Sequence, residues 1–273
     1  PTITFVEVEI VNDKVHSYNI DERQSKVYAV TDVDGNITGL DIKFNDKTKK
    51  QMGWEYNMNW ASKTDGEWFI SAARIEDAWL GQTEPAALAG TTMTQDVYVK
   101  LAKDALKNAK DGKALAISRS EQNAREHYNY DFAFAKADVD KNGKLSNVTF
   151  DALQFGYSKS TFASKLVDTD ATTKTYNFAW NTETKYESYG PMSGGKEWQD
   201  QIDALEDYIA ANGWDKDLYS TSTNANKHKG VHTVKADGTK EVPTALASVT
   251  IEASGEIALL YTLNRYFPLG LKK

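Results

Sequence analysis

Val6, Val8 and Ile10 alternate with Glu7 and Glu9, and this period of two predicts a strand with one apolar face. Ile3 and Phe5 fall on the other parity, which predicts a bulge near Phe5. Residues 27–30 and 37–44 predict two more strands, with a hairpin turn at Asp34-Gly35-Asn36. The period then lengthens. Trp68, Ala72, Ile75 and Trp79 stand at i, i+4, i+7 and i+11, one face of a helix. A loop over 81–90 with Pro85 follows. Next comes a helix over 95–110, with Val97, Leu101 and Ala105 and with Tyr98, Ala102 and Leu106 turned inward. Thr94 is placed to cap it, Asp96 favours its dipole and Gly112 ends it.

The second half repeats this order. Glu197-Trp198 answers Glu67-Trp68, and Trp198, Ile202, Leu205 and Ile209 keep the same helical intervals. Each of these helices follows a Gly-containing loop, Lys63-Thr64-Asp65-Gly66 and Ser193-Gly194-Gly195-Lys196. Strands are predicted at 132–135 and through Leu145, Val148 and Phe150, with a turn over 138–143 and a strand insertion over 157–180. A long polar loop with Asn224, Asn226, Gly230 and Gly238 leads to Pro243. A last helix over 252–266 turns Ile257, Leu260, Tyr261 and Asn264 to one face. The pattern predicts an α+β chain of two tandem homologous modules, residues 1–118 and 119–273. Each module is an antiparallel sheet with two helices, and the polar residues 118–127 form the linker.

Composition narrows the classes. A chain of 273 residues is long enough for two cores, and 40% apolar with 11% aromatic content argues against disorder. The net charge is −7 with both signs interspersed, so no basic stripe exists for nucleic acid. There is no Cys, which excludes disulfides, thiolate metal sites and Cys nucleophiles. No apolar run reaches the length of a membrane span. The chain starts at Pro1 without Met or a signal sequence, which reads as a trimmed start and permits a natural signal and lipid anchor.

The candidate chemistry lies in the loop before the second helix of each module. In the first it reads Ala89-Gly90-Thr91-Thr92-Met93-Thr94. A Gly and three Thr hydroxyls at a helix N-terminus suit a phosphate, because unpaired N–H groups and the helix dipole face it and Gly permits close approach. From this loop by itself the simpler reading, a Thr-rich cap, is favoured. The second loop is Ala247-Ser248-Val249-Thr250-Ile251, with Ser248 in place of the Gly.

Several short motifs recur in a fixed order: residues 32–42 (DVDGNITGLDI), 47–53 (KTKKQMG), Tyr56-Asn57-Met58, Glu67-Trp68 and the 89–94 loop. The second half matches through residues 140–145 (DKNGKL), Tyr189-Gly190-Pro191-Met192 and Glu197-Trp198. In this the chain resembles the FMN-binding domain family, and most of all the two-domain surface lipoproteins of Gram-positive bacteria. Some of those carry a peptide pheromone within the signal sequence, and some act in extracellular electron transfer. The resemblance implies FMN held by the loop and often esterified through its phosphate to the final Thr, here Thr92 and, in the second copy, Thr250. Gly90, Thr91, Thr94, Ala89 and Met93, with Ser248 and Val249, are then cofactor-binding positions. Ala86 and Thr244 stand where the family usually has Asp, and Ala89 and Ala247 where it has Ser or Thr. A flavin transferase, a quinone-linked membrane donor or an extracellular acceptor, and anchoring to the outer face of the cell membrane by a lipidated N-terminus also follow from the resemblance. Trp54, Tyr56 and Trp60, and Tyr186, Tyr189 and Trp198, are candidates for ring contacts, with core packing favoured for Trp68 and Trp198.

Other motifs read more simply. Residues 138–146 match the start of a calcium loop, but the twelfth position is Thr149 and strand-like residues follow, so turn chemistry is favoured. His228 and His232 have helical metal-pair spacing, yet their polar neighbours predict a solvated loop. His16 and His127 stand alone, and no hydrolase triad can be assembled. Lys47 to Lys50 reads as a solvated strand end. The expected function is therefore an extracellular electron carrier with FMN as its cofactor, rather than a substrate-converting enzyme. The alternative is a flavin-free surface binding or structural lipoprotein that keeps the fold.

Overall fold

The turn Asn12-Asp13 has positive φ at both residues, 50° and 61°, which suits a tight hairpin and folds the opening strand back on itself. β1 (Thr2–Val11) thus pairs antiparallel with β2 (Lys14–Thr31), and β3 (Ile37–Phe44) completes the sheet in the order β1-β2-β3. This is a computed structural model, and it describes residues 2–62, 66–124, 127–156, 164–170, 175–180, 183–192, 197–213, 218–221 and 230–267. β2 begins well before the strand expected at 27–30, because Val15, Tyr18 and Ile20 supply buried residues along a stretch whose other positions are polar. The register shift lies between Glu9 and Ile10, not near Phe5, and it brings Val6, Val8 and Ile10 against one core.

Helices follow: α1 (Lys49–Met52), a 3-10 turn (Gly53–Tyr56), α2 (Met58–Ser62), α3 (Trp68–Trp79) and α4 (Asp96–Lys110). The α3 stripe is as the spacing predicts, with Trp68, Ala72, Ile75 and Trp79 at most 2% exposed. On α4 only Tyr98, Ala102 and Leu106 are buried, whereas Val97 is 54% exposed. The N-cap is Gln95 rather than Thr94, and no side chain caps it. Lys47 to Lys50 is not a solvated strand end, because Lys49 and Lys50 open α1 and Lys49 is buried.

The second set begins with β4 (Lys113–Ala124), β5 (His127–Val139) and β6 (Leu145–Gly156), in that sheet order. Residues 118–124 and His127 are therefore strand rather than linker. Ser118 pairs with Ala133 and Glu121 with Tyr130 in one continuous antiparallel ladder. Main-chain hydrogen bonding accepts polar side chains once the partner strand supplies the aromatic and apolar ones. The insertion forms β7 (Ser164–Asp170) and β8 (Thr175–Trp180), which pair antiparallel. Then come α5 (Lys185–Ser188), α6 (Trp198–Asn212), β9 (Leu218–Thr221), β10 (Gly230–Val234), β11 (Lys240–Glu241), a 3-10 turn at Thr244–Leu246 and α7 (Ser254–Tyr266). The long polar loop is thus partly a sheet of order β11-β10-β9, with His232 buried in β10 rather than in a solvated loop. On α7 the inward face is Glu256, Ile257, Leu259, Leu260 and Leu263, and Tyr261 is 47% exposed. Residues 63–65, 157–163 and 193–196, with Asn224, Asn226 and His228, lie outside the described residues.

The fold is α+β, helices with antiparallel sheets. Contacts divide it into two compact units, residues 1–27 with 43–111, and residues 28–42 with 112–273. The first core gathers around Trp68, Trp79 and Tyr98, and the second around Phe150, Trp198 and Leu260.

Two carboxylates hold comparable posts in the two units. Glu76 on α3 accepts the Ile20 N–H at 2.6 Å, and Glu206 on α6 accepts the Phe150 N–H at 2.7 Å. Glu76 also pairs with Lys50. Among the described residues Glu206 pairs with no Lys or Arg. Tyr186 instead donates its hydroxyl to Asp203 at 2.9 Å. Desolvation pushes the Glu206 carboxyl up to about 7, the Phe150 N–H opposes this, and Asp203, Asp207 and Asp151 add to it. The folded state therefore holds this proton more tightly than the unfolded chain. Glu206's contribution is full below its ordinary value and is lost as pH rises through about 7. Because the side chain is only partly buried and so partly screened by water, the swing is about 1–2 kcal/mol. Thermal unfolding followed from pH 5 to pH 8 should show Glu206→Gln stabilising the chain at the alkaline end and changing it little at pH 5. Parallel wild-type and variant curves would refute this.

Candidate functional site

α1 is only four residues long, yet it is held by a reciprocal cap. The Thr48 hydroxyl accepts the Gln51 N–H at 3.3 Å, while Gln51 Oε1 accepts the Thr48 N–H at 2.9 Å. Asp21 Oδ1 adds the Lys50 N–H at 3.1 Å. With its start pinned in this way, the helix buries the Lys49 side chain to 9% exposure, where it pairs with Glu22 of β2. The ammonium lies 5.0 Å from the Tyr56 ring centroid and 5.2 Å from that of Trp68, so both rings cushion the charge. Glu22 Oε1 also accepts the Thr4 hydroxyl at 3.2 Å and the Tyr98 hydroxyl. Burial first, and then that bond to Glu22, hold the Tyr98 phenol far above its usual range. The buried carboxylate is thus satisfied by two hydroxyls and one ammonium, as a buried charge requires.

A cavity of about 350 Å³ is lined by this network and by Thr94, Met93, Val97 and Met58. Met93 and Thr94 connect it to the loop of interest. Leu80 to Gln95 is anchored from behind. The Tyr18 hydroxyl donates to Gln82 O at 2.8 Å and Trp79 Nε1 donates to Ala86 O at 2.8 Å. Pro85 is buried. Burial and the nearby Glu84 carboxylate push the Tyr18 phenol up to about 12. The Gln95 side chain folds back, accepting the Leu88 N–H at 2.8 Å and donating to Leu88 O at 2.8 Å and to Thr91 Oγ1. Thr91 in turn donates to Leu88 O at 3.2 Å. Thr91 is therefore a structural residue of the loop.

The remaining loop residues, Met93 excepted, are exposed. Ala89, Gly90, Thr92 and Thr94 are exposed and Met93 is buried. Gly90 has φ +78°, a conformation that favours glycine. Among the described residues, none donates to or accepts from Thr92, Met93 or Thr94 through a hydrogen bond. The first-turn N–H groups of α4 have no helical acceptor either, and no side chain caps them. The N-terminus of α4 thus presents N–H donors, its dipole and the Thr94 hydroxyl at the edge of the cavity, and the exposed Thr92 hydroxyl stands two residues earlier in the chain.

The second unit repeats the frame and closes the loop. Thr184 and Glu187 form the same reciprocal cap, and Asp151 Oδ1 accepts the Tyr186 N–H at 2.8 Å. Lys185 lies 4.5 Å from the Trp198 centroid and 5.1 Å from that of Tyr189. Ala152 follows Asp151 where Glu22 follows Asp21, and the buried carboxylate that feels the Lys185 charge is Glu256 of α7. Burial pushes the Glu256 carboxyl up and the Lys185 charge opposes it. In the loop, Ser248 and Thr250 are exposed and Val249 is buried. Gln201 Oε1 accepts the Thr250 N–H at 2.7 Å, the Thr250 hydroxyl at 3.2 Å and the Ile251 N–H at 3.1 Å. A carboxamide oxygen here consumes the donors that the first loop leaves open.

The structure places Ala89–Thr94 in one loop and brings Met93 and Thr94 to the cavity; Thr92 is exposed and is not among the lining residues. Trp54 and Trp60 are 68% and 80% exposed and are not among the cavity residues, whereas Tyr56 and Trp68 are. Glu22 and Gln201 belong to no motif of the chain, and Lys49 falls within the 47–53 run with no sign there of its burial. The T-x-x-Q run at 48–51 and the T-x-x-E run at 184–187 carry the signal for the caps that position both lysines.

The carboxylates at 138–140 serve the hairpin turn. Asp140 Oδ1 accepts the N–H of Asn142 and of Lys144 at 2.8 Å each, and Asp138 pairs with Lys113 and accepts from Asn147. These bonds hold both carboxyls below their usual range. His16 pairs with the exposed Glu9. Among the described residues there is no cluster of His, Asp or Glu suited to a metal ion, and no helix is long and apolar enough to cross a membrane. No protein-family model, curated protein or solved structure matches the chain.

Proposed function

We propose that this chain is a tandem FMN-binding-domain lipoprotein of the Gram-positive surface type, and that its first unit carries FMN for extracellular electron transfer. The observation that carries this reading is the open loop from Gly90 to Thr94 beside an aromatic-walled cavity. The donor set fits a phosphate monoester: backbone N–H groups at a helix N-terminus, the Thr92 and Thr94 hydroxyls, and a glycine at the approach. The cavity walls fit a flat ring, with Tyr56, Trp68 and Tyr98 as aromatic surfaces. FMN supplies the electron chemistry; the protein's part is to hold the phosphate, shape the ring's surroundings and limit water. Thr92, exposed and without a hydrogen-bond partner among the described residues, is the residue available for an ester link. On this reading a flavin transferase loads the chain, a lipidated N-terminus upstream holds it at the outer face of the membrane, and a quinone-linked donor or an extracellular acceptor exchanges electrons with it.

The repeated caps, lysine–aromatic contacts and helix-borne glutamates support two homologous modules that have diverged. For the second unit a flavin-free role is favoured, because Gln201 already occupies the loop donors at Thr250 and Ile251.

The test is the intact mass of the exported chain co-expressed with a flavin transferase. One FMN adduct is expected, and it should vanish in Thr92→Ala. An unmodified mass, together with no flavin absorbance after soaking in FMN, would overturn the proposal. Two adducts would refute the reading of the second loop.

A further inference from the structure

Resting on the FMN reading, we propose that Lys49 is the specificity-determining residue of the cavity: it binds the negative charge that reduction leaves on the ring, so the first unit holds reduced FMN more tightly than oxidised FMN.

The argument starts from how Lys49 is held. An ammonium has three N–H donors. Here it meets one carboxylate, Glu22, and two ring faces, Tyr56 and Trp68. The rings cushion charge without offering lone pairs, so donor capacity remains. Glu22, in turn, does not depend on Lys49 alone, because the hydroxyls of Thr4 and Tyr98 both donate to it. Lys49 can therefore lean toward a second anion while Glu22 keeps its partners. Both side chains are about nine-tenths buried, and both line the cavity. Charge interactions there are stronger than in water. A buried ion pair at a cavity wall is costly to a neutral site and useful to one whose occupant changes charge.

Reduction is such a change. The neutral oxidised ring takes two electrons from a donor and one proton from water, and the product carries a single negative charge. Only an interaction that differs between the two forms shifts their balance. The Lys49 ammonium differs in this way, whereas the loop N–H groups face a phosphate whose charge is the same in both.

The test compares wild type with Lys49→Met/Glu22→Gln, which removes both charges and so leaves no unpaired buried ion. Binding of non-covalent FMN is titrated aerobically, and again anaerobically after dithionite reduction. In wild type the reduced form should bind more tightly. In the double variant that preference should shrink by about tenfold or more, with oxidised FMN little affected. A second reading uses wild type alone: bound reduced FMN should stay anionic to a lower pH than free reduced FMN, followed by absorbance. Equal loss of both forms in the variant, or a bound ring that takes up its proton at the same pH as free FMN, would overturn the role of Lys49 and leave the FMN reading standing. No binding of either form to wild type would sink the FMN reading, and this one with it.

Discussion

Gly230→Ala should lower the stability of the second unit by about 3–4 kcal/mol. Gly230 opens β10 with φ +99°, and a Cβ there would lie 1.8 Å from Val249 O and 2.8 Å from Val249 C. Both are main-chain atoms, so no side-chain rotamer relieves the clash. Relief requires moving either β10 or the 247–251 loop. The loop is tied to Gln201 through Thr250 and Ile251, and the strand to Ser220, whose hydroxyl donates to Gly230 O at 3.3 Å and accepts the Ala253 N–H at 2.9 Å. Each escape therefore breaks buried hydrogen bonds at the start of α7. Calorimetry of the whole chain should show one part of the unfolding moved to much lower temperature. An unchanged profile would mean that the loop yields without cost. Gly90→Ala is the instructive contrast. Its Cβ would meet nothing within 4 Å, so only the backbone penalty of φ +78° remains, about 1 kcal/mol.

Lys49→Met should cost about 3–5 kcal/mol, because it strands the Glu22 carboxylate in a site that is 9% exposed. The hydroxyls of Thr4 and Tyr98 soften that loss without supplying a charge. Adding Glu22→Gln should restore most of it, since a carboxamide still accepts from both hydroxyls and no ion is left unpaired. The double-mutant cycle then reads a favourable coupling of a few kcal/mol between two residues from different elements. Denaturant unfolding of the four chains measures it. Additive losses would show that Glu22 finds its charge balance elsewhere. The exposed pairs Lys100–Asp104 and Lys107–Asp111 serve as controls, and their removal should change stability by less than about 1 kcal/mol.

Much of the architecture was legible along the chain because it depends on local periodicity. The stripes on α3 and α6 are buried where the spacing predicts, since a 3.6-residue repeat of large apolar residues has one way to bury itself. The hairpin turns at Asp32–Asn36 and Asp140–Gly143 were legible for a related reason. Their Asp side chains take up the turn's own N–H groups, a bond made within five residues. The loop at 89–94 was also found, because a Gly and Thr run before a helix is a local signature.

What failed was whatever depends on a distant partner. Residues 118–124 look like a linker until the strand through Tyr130 and Phe132 pairs with them. Lys49 looks like a solvated charge until β2 brings Glu22 and α3 brings Trp68 to it. Nothing near Thr250 in the chain hints that Gln201 of α6 will consume its loop donors. The sequence by itself determined the α+β pattern, the helix faces, the turns and the position of the two candidate loops, because those follow from spacing and short-range hydrogen bonding. Only the tertiary structure decided which loop stays open, where the cavity lies and which buried charge faces it. Those outcomes depend on contacts between residues far apart in the chain, and no local pattern encodes the partner of a buried charge.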